Sequence, residues 1–415
     1  MPDNPNFRFA RGDQIAEAGR LVAHSFPGAG RTVAWWKDHL AAPPYGGGAE
    51  TLYIGESGGR IIAALQLHPL REWIAGEALA VAGVGTVAIS PAYRKRGIGA
   101  ALMTSALRAA RERGDAASAL YPFRVSFYRK LGYGQAGEAL QYQIPPSVLA
   151  DSPERAGVEL LESDRALAEA LRLYNHWAKR QTGQLERGEP IWQRLCMAAD
   201  RALAGYRGAD GELDGYARVS YRPDLPPQTR YLEVEELVWT TPAARRGLYA
   251  WLASLDDQWS QLLVRALPSQ RFGDWITEPR LPHGAAPSWG LWAPAATLLM
   301  GPMFRLLDVR AAWEQRRIAT GPPFALALEV TDAQLPENQA RWRLALDAGR
   351  VAVERDREAD VTLRLDIATL SRLFIGAVPP TAALEAGLLE CDRPDRLPLL
   401  DAALVLPEPW TYDRF

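Results

Sequence analysis

The chain has 415 residues, which predicts two to four domains, since domains usually hold about 100–200 residues. The formal net charge is -2, and this balance argues against nucleic acid as the main partner, because phosphate binding needs a basic excess. Cys196 and Cys391 lie far apart in a sequence that contains neither a CxxC nor an HExxH motif. We therefore expect no disulfide framework and no metal.

The sequence shows no targeting or membrane-spanning segment. The first seven residues are polar, and no apolar run approaches the ~18 residues of a membrane span. We therefore expect a cytoplasmic protein without a membrane span.

Strands and helices alternate in the first third of the chain, and hydrophobic spacing and turn residues give their limits. In chain order we predict a helical segment at Ile15–Leu40, strands at Thr51–Glu56, Arg60–Leu67 and Ala80–Ser90, a helix at Gly97–Arg113, a strand at Ala116–Leu120 and a short helix at Arg124–Leu131.

The middle third contains a run that is weakly similar in sequence to a run in the first third. The run from Val238 to Leu248 resembles the run from Val87 to Ile98, because each passes from a strand-like stretch through proline and basic residues to glycine. An internal duplication and chance similarity explain this equally well. Tyr249 stands where the first run has Gly99, and its bulky ring predicts that the second run has lost any phosphate site.

The last third predicts a separate α+β domain with a small sheet. After a Gly-, Pro- and Trp-rich stretch at Arg271–Pro302, which we predict to be irregular, the expected elements are a helix at Met303–Arg317, strands at Phe324–Val330, Arg341–Asp347, Val351–Glu354 and Val361–Leu365, and helices at Ala368–Ile375 and Leu397–Val405.

The strongest chemical signal is the run from Arg94 to Ala100, which lies between a predicted strand and a predicted helix. The first turn of a helix leaves backbone N–H groups unpaired, and the helix dipole adds positive charge there. Gly97 and Gly99 would let a pyrophosphate approach the backbone. Neither GxxxxGK[ST] nor GxGxxG fits this run, so the familiar mononucleotide and dinucleotide loops are disfavoured.

The pattern R-x-x-G-x-G after a strand resembles the acetyl-coenzyme A loop of the GNAT-superfamily N-acetyltransferases. The segment from Phe127 to Tyr133 resembles the FYxKxGF segment that follows the fifth strand of that superfamily. The layout of the whole chain is similar to the Eis (enhanced intracellular survival) branch. The resemblance implies an α/β (mixed α+β) protein with tandem GNAT folds and a sterol-carrier-protein-like α+β domain.

The domain limits expected on this basis are 1–145 for the catalytic GNAT domain, 146–300 for a degenerate GNAT-like domain and 301–415 for the sterol-carrier-like domain. The resemblance also implies a hexamer built as a trimer of dimers. Its co-substrate would be acetyl-CoA, and its acceptor a small-molecule amine such as an aminoglycoside or a polyamine.

The resemblance also implies roles for individual residues. The backbone of Val87–Ile89 would pair with the pantetheine arm, Tyr128 would protonate the departing thiolate, and the terminal carboxylate of Phe415 would accept the proton of the amine. The residues expected to bind the coenzyme are Val87, Ala88, Ile89, Arg94, Lys95, Arg96, Gly97, Ile98, Gly99 and Ala100. The chain departs from the best-known Eis proteins at Phe123-Arg124, where they have Ser-Glu.

The residues themselves support direct transfer. The donor motif contains no cysteine, which disfavours a covalent acyl-enzyme, and a backbone N–H of Val87–Ile89 is suited to stabilise an oxyanion. Three aromatic residues among the last six predict a docked chain end at Phe415. Two alternatives stay open: a non-catalytic lipid- or acyl-CoA-binding protein, and an acetyltransferase that modifies protein lysines.

Overall fold

The computed structural model of the protein describes residues 5–28, 30–221, 231–277, 296–355 and 357–415. The chain divides into two compact units. The first unit combines Met1–Gly137, Gln181–Glu186 and Gly301–Phe415, and the second combines Glu138–Arg180 and Arg187–Met300.

Strands and helices occur in both units. The strands are β1 (Asn6–Phe9), β2 (Leu52–Ser57), β3 (Arg60–Ile74), β4 (Glu77–Ile89), β5 (Ala117–Leu120), β6 (Gly134–Gln135), β7 (Glu138–Ile144), β8 (Val158–Leu160), β9 (Arg201–Arg207), β10 (Leu213–Tyr221), β11 (Tyr231–Trp239), β12 (Gln261–Ala266), β13 (Ala296–Met300), β14 (Met303–Leu306), β15 (Phe324–Thr331), β16 (Arg341–Asp347), β17 (Arg350–Arg355), β18 (Val361–Asp366) and β19 (Leu389–Cys391). The helices are α1 (Ile15–Ser25), α2 (Val33–Ala41), α3 (Ile98–Glu112), α4 (Val125–Arg129), α5 (Asp164–Ala178), α6 (Glu189–Cys196), α7 (Pro242–Ala253), α8 (Val309–Gln315), α9 (Ile367–Phe374), α10 (Pro380–Glu385) and α11 (Leu397–Leu404).

The first unit contains a sheet with the strand order β1-β2-β3-β4-β5-β14-β6. Its pairs are antiparallel except β4 with β5, which run parallel. Helix α3 connects β4 to β5 and buries one face, because its apolar residues recur at helical spacing: Leu102, Met103, Ala106, Leu107 and Ala110. This strand-helix-strand unit places the start of α3 at the end of β4, where the donor motif lies.

A second sheet of the first unit has the order β17-β16-β15-β18-β19. One apolar core runs from the first sheet to this sheet and contains Val81, Leu306, Leu328 and Leu370. Strand β14 belongs to the first sheet although it follows Gly301 in the chain, and Arg305 on it forms a fully buried ion pair with Asp332. The C-terminal part of the chain therefore completes the sheet that carries the donor motif.

The second unit contains a sheet with the order β13-β7-β12-β11-β10-β9-β8. Its core includes a buried ion pair between Arg187 and Glu236, whose N–O distance is 2.6 Å. Burial alone would raise the pKa of Glu236, but the Arg187 and Arg218 guanidinium groups lower it to about 2. The pair is thus fully charged inside the unit.

Most of the expected elements are present, and three predictions are wrong in part. The segment Ile15–Leu40 is two helices, because Pro27 and Gly28 interrupt it and the Thr32 side chain caps α2 by accepting the N–H of Trp35. The segment Met303–Arg317 begins as β14, where pairing with β5 overrides helical spacing. Within Arg271–Pro302, residues 278–295 lie outside the described part, but Ala296–Met300 forms a regular strand.

Candidate active site

Strands β4 and β5 separate at the point where the donor motif begins. Strand β5 pairs with β4 only from Val81 to Val84. Beyond that point, no strand among the described residues pairs with the β5-side edge of Gly85–Ile89, whereas the other edge still pairs with β3 at Ala64↔Ala88. The expected coenzyme residues Val87, Ala88 and Ile89 therefore present an open strand edge, to which an extended ligand can bind as an added strand.

A bulge in β4 produces this separation. The register with β3 shifts between Ala64 and Gln66, and Thr86 has a left-handed backbone with φ of 51°. The Thr86 hydroxyl donates a hydrogen bond of 2.9 Å to Oε1 of Gln66, which holds the bulge against β3. Bulges bend a strand away from its neighbour and often lie beside functional sites.

The start of α3 has the features of an anion site. The helix begins at Ile98, and Gly97 is its N-cap with φ of 80° and no side-chain cap. Within the described part of the chain, no acceptor pairs with the backbone N–H groups of Lys95, Arg96, Gly97, Ile98, Gly99 and Ala100. These donors, together with the dipole of the helix, suit a pyrophosphate.

The basic side chains of the loop stay at the surface. Arg94, Lys95 and Arg96 are exposed. The Nε atom of Arg94 donates to the carbonyl oxygen of Ile89 at 3.2 Å, and the Arg96 guanidinium lies 5.6 Å from the centre of the Tyr93 ring. The loop thus gathers positive charge around the open N–H groups.

Tyr128 lies on α4 and is 2% exposed. Its ring contacts Phe127 and Phe123 edge-on, at centroid distances of 5.0 and 5.4 Å. Phe127 in turn approaches Gly99, since a Cβ at Gly99 would be 3.7 Å from the Phe127 Cζ atom. Burial raises the pKa of Tyr128 to about 12, so the phenol keeps its proton at physiological pH.

The chain end lies on β4. A Cβ at Gly83 would be 2.9 Å from the Cδ2 atom of Phe415, and a Cβ at Gly85 would be 3.5 Å from its carboxyl carbon. Glycine at position 83 therefore leaves room for the ring, and the terminal carboxyl group lies within contact distance of position 85. The side chains of Tyr45 and Tyr121 pack on the Phe415 ring at centroid distances of 6.1 and 5.7 Å.

Hydrogen bonds fix the segment that leads to Phe415. The Tyr121 hydroxyl donates to the carbonyl oxygen of Asp413 at 2.7 Å, and the N–H of Trp410 donates to the carbonyl oxygen of Thr182 at 2.9 Å. The connection from β5 to α4 thus touches both candidate catalytic groups, because Tyr121 contacts Phe415 and Phe123 contacts Tyr128. Phe123, at a position where the chain departs from the best-known Eis proteins, is 72% exposed.

Several residues at the site were missed from the sequence. They are Tyr45, Gln66, His68, Gly83, Gly85 and Tyr121, which lie around Phe415 or support the bulge. The available signal was the pair Gly83 and Gly85 in an otherwise apolar strand, since glycines inside a strand often mark the close approach of another group.

The second run of similar sequence has a different geometry. Helix α7 begins at Pro242, and its N-cap Thr241 accepts the N–H of Ala244, so Gly247 lies inside the helix rather than at its start. Arg245 stacks on Trp239, with its guanidinium carbon 4.7 Å from the ring centre. Tyr249 is buried in the core of the second unit, and the Thr241 side chain pairs with the N–H of Ala244 at the helix start.

The described residues include neither a candidate metal cluster nor a candidate membrane span. They contain no group of three or more His, Cys, Asp or Glu side chains that could hold a metal ion. No helix among them is long and apolar enough to cross a membrane.

Comparison with known proteins bears on the fold and on the kind of enzyme. Residues 6–136 and 183–305 each match a family described as an acetyltransferase (GNAT) domain, and residues 309–412 match a sterol carrier protein domain. These matches and the mixed sheets and helices confirm the predicted fold class.

Relatives and solved structures match over most of the chain. An uncharacterized N-acetyltransferase of Streptomyces avermitilis is 26% identical over 86% of this chain and 86% of its own length. The N-acetyltransferase Eis of Mycobacterium tuberculosis is 26% identical over 87% of this chain and 88% of its own length. The crystal structure of a GCN5-related N-acetyltransferase from Anabaena variabilis has a TM-score of 0.84 and 22% identity, and the match covers 99% of this chain and 100% of that one.

Proposed function

Because the chain belongs to the Eis-like N-acetyltransferases of the GNAT superfamily, we propose that it moves an acetyl group from acetyl-CoA to the primary amine of a small molecule. The observation that carries this proposal is the separation of β4 from β5. There an open strand edge and the unpaired N–H groups of α3 meet at one point.

Different residues around this point would bind different groups of the coenzyme. The N–H groups from Lys95 to Ala100 would bind the pyrophosphate, with Arg94 and the other exposed cations adding attraction. The edge of Val87–Ile89 would pair with the pantetheine arm, and a backbone N–H there would stabilise the oxyanion during transfer. The bound coenzyme would supply an activated acetyl thioester.

Tyr128 is the candidate acid. A thiol has an ordinary pKa near ~8.5, so a phenol with a pKa of about 12 stays protonated beside a departing thiolate. It donates a hydrogen bond to that thiolate as the C–S bond breaks, since full proton transfer from so weak an acid is uphill. The second proton that the amine nitrogen loses neutralises the thiolate.

The terminal carboxylate of Phe415 is the candidate base. An amine must lose a proton before its electron pair can attack, and the carboxylate lies on the face of β4 at Gly85. Gly85 is two residues before the Val87–Ile89 edge, where the thioester is expected, and this closeness in sequence supports the proposal.

The finer proposals on assembly and organisation rest on family resemblance. We infer a cytoplasmic hexamer built as a trimer of dimers, with the three domains 1–145, 146–300 and 301–415. Sedimentation of the purified chain measures its mass in solution, and a monomer at micromolar concentration would contradict the hexamer.

Two measurements test the activity. Titration calorimetry with coenzyme A should show saturable binding, and Gly97→Val should weaken it, because a branched side chain is strained at φ of 80°. A thiol-release assay with acetyl-CoA should then give turnover with at least one member of a panel of primary amines. Coenzyme binding without any turnover would favour a non-catalytic acyl-CoA-binding protein.

A further inference from the structure

Arg305 on β14 is a buried cation that uses only part of its hydrogen-bonding capacity. Its Nη2 atom donates to both carboxylate oxygens of Asp332, at 2.9 Å each, and both side chains are fully buried. Within the described part of the chain, its Nη1 and Nε atoms have no hydrogen-bond partner. An unpaired buried donor destabilises the folded state, and apolar residues can often replace a buried ion pair without loss of stability. Stability alone therefore does not account for this guanidinium.

The unpaired Nη1 atom of Arg305 lies where Gly132 has no side chain. A Cβ at Gly132 would be 1.6 Å from Nη1 and 2.9 Å from Cζ of Arg305, so the guanidinium fills that place. Gly132 has a φ of 85°, which glycine adopts without strain. The turn after α4, residues 130–133, therefore packs directly against a guanidinium that Asp332 holds through Nη2.

This turn also holds Tyr128. The carbonyl oxygen of Tyr128 accepts the N–H groups of Leu131 and Tyr133, at 2.9 and 3.2 Å, and Gly132 lies between these two donors in the chain. The Tyr133 ring packs edge-on against the Tyr128 ring at a centroid distance of 6.0 Å. A movement of the turn would therefore move both the backbone and the ring of Tyr128.

The hydroxyl of Tyr133 restrains the same turn. Tyr133 is fully buried, and its hydroxyl lies 2.7 Å from the Oγ atom of Ser118 on β5. Ser118 donates its only hydroxyl proton to the carbonyl oxygen of Ala82 on β4, at 2.8 Å, so Tyr133 is the donor to Ser118. Two groups thus fix the turn beside Tyr128, and one of them, Arg305, comes from the C-terminal part of the chain.

Asp332 is held in place by further donors besides Arg305. Its Oδ1 atom accepts the N–H groups of Gln334 and Leu335, at 3.0 and 3.1 Å. Its Oδ2 atom accepts a hydrogen bond of 3.0 Å from the Nδ2 atom of Asn338. The carboxylate is therefore a fixed point from which the Arg305 side chain reaches the turn after α4.

We propose that Arg305 is a positioning residue of the acetyl transfer: anchored by Asp332, it holds the turn at Gly132 and so places the Tyr128 hydroxyl for the departing thiolate. This inference rests on the proposed function and on the acid role of Tyr128. Arg305 acts only through Tyr128 and exchanges no proton with the substrates. Its loss should slow the transfer without weakening coenzyme binding, because the N–H groups from Lys95 to Ala100 lie on another segment.

A double-mutant cycle with Tyr128 tests this role in the full chain. Arg305→Lys keeps a positive charge for Asp332 but removes the planar group that fills the space at Gly132. It should lower kcat for thiol release about tenfold and leave the KM for acetyl-CoA unchanged. In a chain that already carries Tyr128→Phe, the same change should have almost no further effect, because no hydroxyl is left to position. An equal fold loss in both backgrounds would overturn the proposal.

The contact at Gly132 can be tested by a change of size. Gly132→Ala should lower kcat more than Arg305→Lys does, since the added methyl group would overlap Nη1 and alanine is strained at a φ of 85°. Combining the two changes should recover part of this loss, because lysine has no Nη1 atom. A loss of kcat that the second change does not reduce would contradict the contact on which the positioning role depends.

Hydrogen exchange gives a measurement that needs no substrate. The N–H groups of Leu131 and Tyr133 should exchange faster in Arg305→Lys than in the wild type, whereas those of α7 in the second unit should not change. Unchanged exchange at both turn positions would show that Arg305 does not restrain the turn. The matched control is Arg187→Lys, which alters an equally buried ion pair with Glu236 and should destabilise the chain without changing kcat.

The outcomes separate this inference from the proposed function. If the wild-type chain transfers acetyl groups but Arg305→Lys leaves kcat unchanged, the positioning role is wrong and the acetyl transfer stands. A Tyr128→Phe chain with wild-type kcat removes the hydroxyl from the mechanism and the positioning role with it. If the wild-type chain releases no thiol with any amine, the proposed function fails and the positioning role falls with it.

Discussion

The hydroxyl of Tyr128 is the smallest feature on which the proposed chemistry depends. Tyr128→Phe removes only the donor and keeps the ring contacts with Phe123 and Phe127. We expect kcat at saturating acetyl-CoA to fall about hundredfold, the low end for a lost acid–base group. The KM for acetyl-CoA should stay the same. Steady-state thiol release measures both, with Tyr206→Phe in the second unit as the control, and an unchanged kcat would remove the acid role.

The terminal carboxylate of Phe415 can be changed without touching its side chain. Appending one glycine leaves the ring over Gly83 but converts the carboxylate into a peptide group. We expect kcat to fall by about hundredfold or more, because the base is lost, while calorimetry still detects coenzyme A binding. Deleting Phe415 should lower kcat at least as much. Wild-type kinetics in the extended chain would show that the docked chain end has a structural role and is not the catalytic base.

Strand β3 carries a buried acid that the proposed chemistry does not use. Glu72 is 4% exposed, and among the described residues no cation pairs with it. Burial raises the pKa of Glu72 from 4.5 to about 8. Because the folded state prefers the neutral acid, its stabilising contribution is complete below pH 4.5 and is lost as the pH rises towards 8.

Replacing this acid should therefore change the pH dependence of stability. Glu72→Gln keeps the volume and cannot ionise, so its advantage over the wild type should grow above pH 4.5. It should reach on the order of 3 kcal/mol at pH 7. Urea unfolding at pH 5 and pH 7 measures the free energy of unfolding of both chains. A difference between the two chains that does not depend on pH would show that the Glu72 carboxyl finds a partner.

At the scale of elements, sequence reasoning succeeded where local signals decide the structure. The start of α3 at Ile98 was predictable because a strand, a proline, basic residues and Gly97 follow in order. The same signals misled at α7, where Thr241 caps the helix early and Gly247 becomes an interior residue. A cap is a single side-chain contact, and its presence decides whether the following N–H groups stay open for a ligand.

The surroundings of the chain end were harder to predict because they depend on contacts between residues that are distant in the sequence. Gln66 and His68 are ordinary residues in a strand sequence. No local signal predicts that the neighbouring strand carries the chain end, Phe415, at Gly85. Hydrophobic periodicity predicts strand β3 but not the residues that pack against it. The proposed donor residues form one continuous segment, which local signals can indicate, whereas the surroundings of Phe415 join β3 and β4 to the last residue of the chain.

At the scale of the whole molecule, the C-terminal part completes the sheet that carries the proposed donor site. Strand β14 lies between β5 and β6 in the first sheet, and its residues Met303, Phe304, Arg305 and Leu306 are all at most 1% exposed. A fragment of residues 1–145 would leave the edge of β5 unpaired and part of its core uncovered. We therefore expect this fragment to aggregate or to lack cooperative unfolding, and to bind no coenzyme A by calorimetry.

Adding residues 301–415 as a separate chain tests whether the 1–145 fragment fails because it lacks β14 or because the chain has been shortened. If β14 completes the sheet, mixing the two fragments during refolding should restore part of the coenzyme A binding, since the missing strand and its core residues return. A C-terminal fragment with Phe304→Asp should restore less, because a charge would enter a position that is 1% exposed. A 1–145 fragment that unfolds cooperatively and binds the coenzyme alone would show that the first sheet does not need this strand.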